Sequence, residues 1–228
     1  MDYKILIVDD HGLVRAGLRP ILDDALGGKC ALIEAETLSQ TLDLMSTEAD
    51  LDLVLLDLTL PDASGLAALE KVRAQFPHIP VAVLSGQADT NLIQAAYRQN
   101  ISGFIIKNAK AEVLVSAVRL ILSGGVYIPP ELLTAAMNTP ERKRTRAERH
   151  SGGDSSQLTP RQQEVLYLIT KGCSNQEISD SVGATIGTVK SHVVGILRAL
   201  GVHSRTQAIN LVHENPDILG QYRPVSNN

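Results

Sequence analysis

The chain has 228 residues, 44% of them apolar, enough to bury a core in one large domain or two modest ones. Aromatics make up only 3% and Trp is absent, which argues against a platform that stacks single-stranded nucleic acid. The net charge of -4 hides an asymmetry: residues 1–137 carry 10 Lys/Arg against 17 Asp/Glu, and residues 138–228 carry 11 against 8, so an acidic half precedes a basic half suited to work near nucleic acid.

No apolar run approaches the ~18 residues of a membrane span, and the start MDYKILIVDD has no signal-peptide pattern. Cys30 and Cys173 lack partners at metal-binding spacing and read as reduced thiols. The expected location is cytoplasmic, with no membrane partner.

Taken in order, Ile5 to Val8 is an apolar run ending in Asp9 and Asp10. A helix follows, with Leu13, Val14, Leu18, Ile21 and Leu22 near helical spacing, and Gly27 and Gly28 end it. Ala31 to Ile33 is a second strand, and Leu38, Leu42 and Met45 mark a second helix. Val54 to Leu56 form a third strand that stops at Asp57, before the turn residues Pro61, Asp62 and Gly65. Leu66, Leu69, Val72 and Phe76 mark the next helix. Val81 to Leu84 end at Ser85, Leu92, Ile93 and Ala96 lie in a fourth helix, and Phe104 to Ile106 end at Lys107. Val113, Leu114, Ala117, Val118 and Ile121 give a fifth helix, closed by Gly124 and Gly125.

Five strand–helix alternations in roughly 125 residues predict a parallel sheet covered on both faces. All parallel strand ends fall on one edge, so Asp9, Asp10, Asp57, Ser85 and Lys107 are expected to converge. Taken singly, a strand-end Asp also fits a helix-capping role. Three neighbouring carboxylates repel unless a cation neutralises them, and oxygen ligands at a solvent edge suit Mg²⁺. One carboxylate then becomes a nucleophile towards phosphorus, with a lysine and a hydroxyl placed for the transferring oxygens.

Residues 3–125 resemble the receiver domain of bacterial two-component response regulators. The resemblance rests on Asp9–Asp10, Asp57, the run Thr59-Leu60-Pro61-Asp62 with Gly65, Ser85 and Lys107. It implies a flavodoxin-like, doubly wound five-stranded sheet with Asp57 as phosphoacceptor. It also implies Mg²⁺ held by Asp10, Asp57 and the Thr59 carbonyl, with Asp9 acting through water, and Lys107 paired with the phosphoryl group. Ser85 and Phe104 would form the switch, and a histidine kinase would be the donor. Asn108 stands where many receivers have proline.

Pro129 and Pro130 suit the entry to a short helix. Residues 139–157 have almost no large apolar side chain and read as a flexible tether, with Arg142, Lys143, Arg144, Arg146 and Arg149 as a basic cluster. Thr159 and Pro160 open a helix with Val165, Leu166, Leu168 and Ile169 on its buried face. Ser174 or Asn175 caps a short helix carrying Ile178 and Val182. Gly183 turns the chain into a helix from near Gly187 to Leu200. Ser204 or Arg205 begins a fourth helix, and the tail after it is expected to fray.

A short helix, a glycine turn and a longer helix make the helix-turn-helix plan. The motifs LTPR, SNQEI, GTVKSH and LGVHSRTQA over residues 157–213 resemble the LuxR-type DNA-binding domain. With the receiver, the chain resembles response regulators of the NarL/FixJ type. The resemblance implies Lys190, Ser191 and Val194 near base edges of double-stranded DNA. It implies Thr188, His192 and Arg205 at phosphates, and a homodimer when phosphorylated. The sequence departs from many relatives at Val193-Val194-Gly195, where polar residues are common.

The expected domains are residues 1–125, a linker over 126–156, and 157–220. Rival readings are a phosphorylation-independent pseudo-receiver, a small-molecule-sensing LuxR-type receptor and an aspartyl-phosphate phosphohydrolase. The last needs a second aspartate two residues after the nucleophile, where Thr59 stands.

Overall fold

A computed structural model of the chain describes residues 3–48, 51–86, 89–130, 158–173, 175–202 and 205–219. The expected tether with its basic cluster, and Ser174 and Ser204, lie outside the described residues. The chain divides into two compact units, residues 1–142 and 143–228. None of the described helices is long and apolar enough to cross a membrane.

The first unit alternates strand and helix. Its elements are β1 (Tyr3–Val8), α1 (Gly12–Ala25), β2 (Cys30–Ala35), α2 (Leu38–Thr47), β3 (Leu53–Asp57), α3 (Leu66–Gln75), β4 (Val81–Ser85), α4 (Thr90–Arg98), β5 (Gly103–Ile106) and α5 (Ala111–Leu122). The five strands are parallel in the order β2-β1-β3-β4-β5. This is the flavodoxin-like order, whose topological switch lies between β1 and β3.

Alternate strand residues feed opposite faces. Leu6, Val8, Val54, Leu56 and Val83 pack with Leu38, Met45, Leu69 and Ile93 of α2, α3 and α4. Ile5, Ile7, Leu53, Leu55 and Leu84 pack with Leu22, Leu114, Val118 and Ile121 of α1 and α5. Each such aliphatic side chain contributes about 1.5–3 kcal/mol on burial, so the sheet is the most firmly held part of the unit.

Two details differ from the sequence reading. The second strand runs from Cys30 to Ala35, longer than its apolar centre, because the whole span pairs with β1. Leu13, expected on the inner stripe of α1, is 90% exposed, whereas Arg15 is buried. The first turn of α1 sits at the sheet edge, and Arg15 fills its inward place.

The second unit packs α6 (Pro160–Thr170), α7 (Asn175–Val182), α8 (Ile186–Ala199) and α9 (Arg205–Glu214) around Val165, Leu166, Ile169, Ile178, Val189, Ile196, Leu197 and Ala208. Thr159 and Gln162 form a reciprocal capping box at the start of α6, with Pro160 in the first turn. The tail expected to fray begins with a 3₁₀ turn, Pro216–Leu219, which buries Ile218 in this core. Gly195, unfavourable in a helix interior by about 1 kcal/mol relative to Ala, has a packing reason. A Cβ there would lie 2.7 Å from Gln162 Nε2, so the glycine lets α8 pass close to the capping box.

Candidate functional site

β1 and β3 deliver their carboxylates at the switch point. Asp9 follows β1 and is fully buried, Asp57 is the last residue of β3 and is buried, and Asp10 is exposed. Lys107 follows β5, and its amide donates to the Ser85 carbonyl at 2.7 Å, joining the ends of β4 and β5. Lys107 Nζ lies 2.8 Å from Asp57 Oδ2 and 2.7 Å from Asp9 Oδ2. Burial alone would lower the ammonium's pKa, but its hydrogen bond to Asp57 and the negative charges of Asp57 and Asp9 outweigh it and raise the pKa. Lys107 is therefore a fixed positive charge in the site.

Asp57 does not cap the helix that follows. Its Oδ1 accepts from the Thr59 amide at 3.1 Å, closing a turn at the strand end. Thr59–Leu60 then pair antiparallel with Ala63–Ser64. The turn closes at Gly65, whose φ of 61° favours glycine, and whose amide donates to the Leu58 carbonyl at 2.8 Å. Asp62, part of the sequence motif, reaches across to α2. Its carboxylate accepts from the amides of Leu38 at 2.8 Å and Ser39 at 2.9 Å. Those bonds hold its pKa below the ordinary aspartate value.

Ligand oxygens of Asp9, Asp10 and Asp57 and a ring nitrogen of His11 all lie within 4.8 Å of one another. The Lys107 contact with buried Asp9 Oδ2 is close but lacks hydrogen-bond geometry, so that oxygen retains acceptor capacity. An oxygen-rich cluster at a solvent edge, with one lysine against three carboxylates, fits a hard divalent cation. His11 was not expected here. Its amide donates to Asp9 Oδ1 at 2.9 Å, and its Nδ1 lies 2.6 Å from Asp10 Oδ1. Its place directly after the acid pair was the available signal. Ser85 is buried at the end of β4, and the Phe104 side chain is fully buried in β5.

In the second unit, Thr185 caps α8, its side chain accepting from the Thr188 amide at 3.2 Å. Thr188 and Ser191 are exposed on this helix, and Lys190, His192 and Val194 are half-buried. Arg198 is exposed in the last turn, seven residues after Ser191 and so on the same stripe. Sequence reasoning passed over it because it lies outside the GTVKSH motif. Arg205 is turned inward: it donates to the Cys173 carbonyl and to Asn175 Oδ1, and burial lowers its pKa. It fastens the turn that leads into α7.

The sequence matches the response regulator receiver domain over residues 5–119 and the luxR family of bacterial regulatory proteins over residues 156–212. It is 37% identical to the glycerol metabolism activator of Pseudomonas putida over 91% of this chain and 93% of that protein. It is 34% identical to the response regulator protein VraR of Staphylococcus aureus over 92% of this chain and 95% of that protein. Among solved structures, RcsB of Salmonella enterica serovar Typhimurium, bound to a promoter in the presence of phosphomimetic BeF3-, matches in fold. Its TM-score is 0.54 at 20% identity, covering 92% of this chain and 98% of that one.

The two units thus define a signal-receiving domain joined to a DNA-binding domain. The chain belongs to the two-component response regulators that combine a receiver with a LuxR-type helix-turn-helix. It is a phosphorylation-dependent DNA-binding transcription regulator. Receiver domains bind Mg²⁺ through an acidic pocket of this kind, and regulators of this build are typically not enzymes.

Proposed function

We propose that Asp57 is the phosphoacceptor and that its phosphorylation controls dimerisation and DNA binding. The observation that carries this is the contact of Lys107 with both Asp57 and Asp9 at converging strand ends. A carboxylate oxygen of Asp57 attacks the phosphorus of a histidine kinase's phosphohistidine. A P–O bond forms as the P–N bond breaks, and the imidazole leaves. Asp10, Asp57 and the Thr59 carbonyl would hold Mg²⁺, with Asp9 acting through water, and the ion would offset charge on the transferring oxygens. Lys107 would move from Asp57 Oδ2 to the new phosphoryl oxygens, keeping its contact with Asp9.

Ser85 and Phe104 form the switch in this reading. The Ser85 hydroxyl follows the phosphoryl group inward, and the Phe104 side chain shifts into the space released. Residues 1–125 act as receiver, 126–156 as linker and 157–220 as the DNA-binding domain, in the cytoplasm. On α8, Lys190, Ser191 and Val194 read base edges, while Thr188, His192 and Arg198 approach phosphates. Arg205, implied at a phosphate by the resemblance, also holds the start of α7 through Cys173 and Asn175.

The test is incubation with acetyl phosphate, with and without Mg²⁺, read by intact mass. A Mg²⁺-dependent phosphoryl adduct on wild type and none on Asp57→Ala is the expected result. Equal adducts on both proteins would overturn the assignment.

A further inference from the structure

Asp9 is the most constrained residue of the acid cluster, and one of its constraints comes from an unexpected source. Its amide donates to the Ala35 carbonyl at 3.1 Å, extending the ladder between β1 and β2. Its carbonyl accepts from Arg15 Nη1 at 2.5 Å. That carbonyl belongs to the peptide joining Asp9 to Asp10, so the bond fixes the plane from which Asp10 departs.

Arg15 is itself held on its other nitrogens. Nε donates to Glu34 Oε2 at 2.9 Å, and Nη2 donates to Glu36. Arg19 holds the second oxygen of Glu34. The planar guanidinium is thus locked between α1 and the end of β2, with one fork left for the Asp9 carbonyl. Its charge is matched by Glu34 and Glu36.

We infer that Arg15 is a positioning residue for the divalent cation: it sets the Asp9–Asp10 peptide so that the Asp10 carboxylate faces Asp57. This inference rests on the reading above that Asp10 and Asp57 hold Mg²⁺. It makes a prediction of unusual sign. By Coulomb's law alone, removing a cation near three carboxylates tightens the binding of another cation. Loss of positioning weakens it. Groups that orient metal ligands from behind are worth on the order of ten-fold in metal affinity.

The experiment is calorimetric titration of Mg²⁺ into the full chain, with no phosphodonor, for wild type, Arg15→Ala, Arg15→Lys and Arg19→Ala. Phosphorylation rate against Mg²⁺ concentration, with acetyl phosphate, provides the second readout. Arg15→Ala should bind Mg²⁺ about ten-fold more weakly. Its phosphorylation rate should recover at saturating Mg²⁺. Arg15→Lys, with a single ammonium in place of the fork, should fall between, and carries the test if Arg15→Ala does not fold. Arg19→Ala touches Glu34 but not Asp9 and should leave Mg²⁺ affinity unchanged.

Unchanged or tighter Mg²⁺ binding in both Arg15 variants would overturn the inference while leaving the metal site intact. Equal weakening by Arg19→Ala would also overturn it. A wild type that takes up no Mg²⁺ would overturn both this inference and the reading it rests on.

Discussion

Lys107 Nζ sits 2.8 Å from Asp57 Oδ2, joining residues fifty positions apart in the chain. The same ammonium contacts Asp9, so one cation faces two buried carboxylates. Lys107→Ala would leave both buried carboxylates without that cation, repelling one another. The variant should therefore bind Mg²⁺ at least as tightly as wild type, because the competing cation is gone. It should nonetheless accept phosphoryl groups more slowly and fail to transmit their effect to DNA. Calorimetry with Mg²⁺, followed by binding to DNA after acetyl phosphate treatment, separates the two effects. Weaker Mg²⁺ binding in Lys107→Ala would contradict this account.

Asp62 gives a stability prediction with a definite pH sign. Two backbone hydrogen bonds from α2 lower its folded-state pKa below the unfolded value. Its contribution is therefore fully present above the ordinary Asp pKa of about 4 and is lost as pH falls through the folded-state value. Asp62→Asn keeps only one carbonyl acceptor and should lower the melting temperature of the receiver at neutral pH. The gap between variant and wild type should stay constant down to about pH 5 and close below it. A gap that widens on acidification would show that Asp62 does not act through its charge.

Gly195 and Gln162 are coupled through space. Gly→Ala in a helix interior ordinarily gains about 1 kcal/mol. Here the new methyl would press on Gln162 Nε2, whose Oε1 accepts from the Thr159 amide at 2.9 Å. Disturbing a helix cap costs roughly 0.5–2 kcal/mol. Gly195→Ala should therefore stabilise a Gln162→Ala background by about 1 kcal/mol and wild type by clearly less. Urea unfolding of residues 143–228 in the four combinations measures the coupling, and strict additivity would argue against it.

The architecture and the acidic site were legible for one physical reason. A buried strand reads as a short apolar run, and the first polar residue after it marks the sheet edge, as with Asp57, Ser85 and Lys107. What was not legible involved charged side chains pointing inward. Periodicity assigns Arg15 to a solvent face of α1 and gives Leu13 to the core, yet the structure exchanges them. Arg15 finds Glu34 on β2, Glu36 just after it and the carbonyl of Asp9 just after β1, partners that no local pattern announces. Asp62 looked like a turn residue and also caps α2, twenty-four positions earlier. The resemblance to LuxR-type domains implied Arg205 at a phosphate, and spacing gave no sign that it also holds the turn before α7. Its inward hydrogen bonds to Cys173 and Asn175 depend on how α9 packs, which spacing does not encode.

The inward turn of Arg205 alters what its removal should do to DNA binding. Arg205→Ala would strip a donor from the Cys173 carbonyl and loosen the turn before α7. The loss should appear first as lower stability of the second unit, with weakened binding to all DNA sequences following from it. Lys190 and Arg198, both on α8, should behave differently. A lysine at a base edge contributes about 1–3 kcal/mol of discrimination, whereas a phosphate contact weakens every sequence alike. Lys190→Ala should therefore lower specific binding more than nonspecific binding. Arg198→Ala should lower both and reduce the dependence of log K on log salt by about one unit. Since Val193, Val194 and Gly195 supply no charge to α8, tight binding should need two copies on half-sites about one helical turn apart. Footprinting and salt titrations on the full chain, with and without acetyl phosphate, test all of this together with melting curves for each variant. An Arg205→Ala protein of unchanged stability but reduced salt slope would restore that residue to the DNA-contacting set. Lys190→Ala with an unchanged ratio of specific to nonspecific affinity would remove Lys190 from the reading of bases.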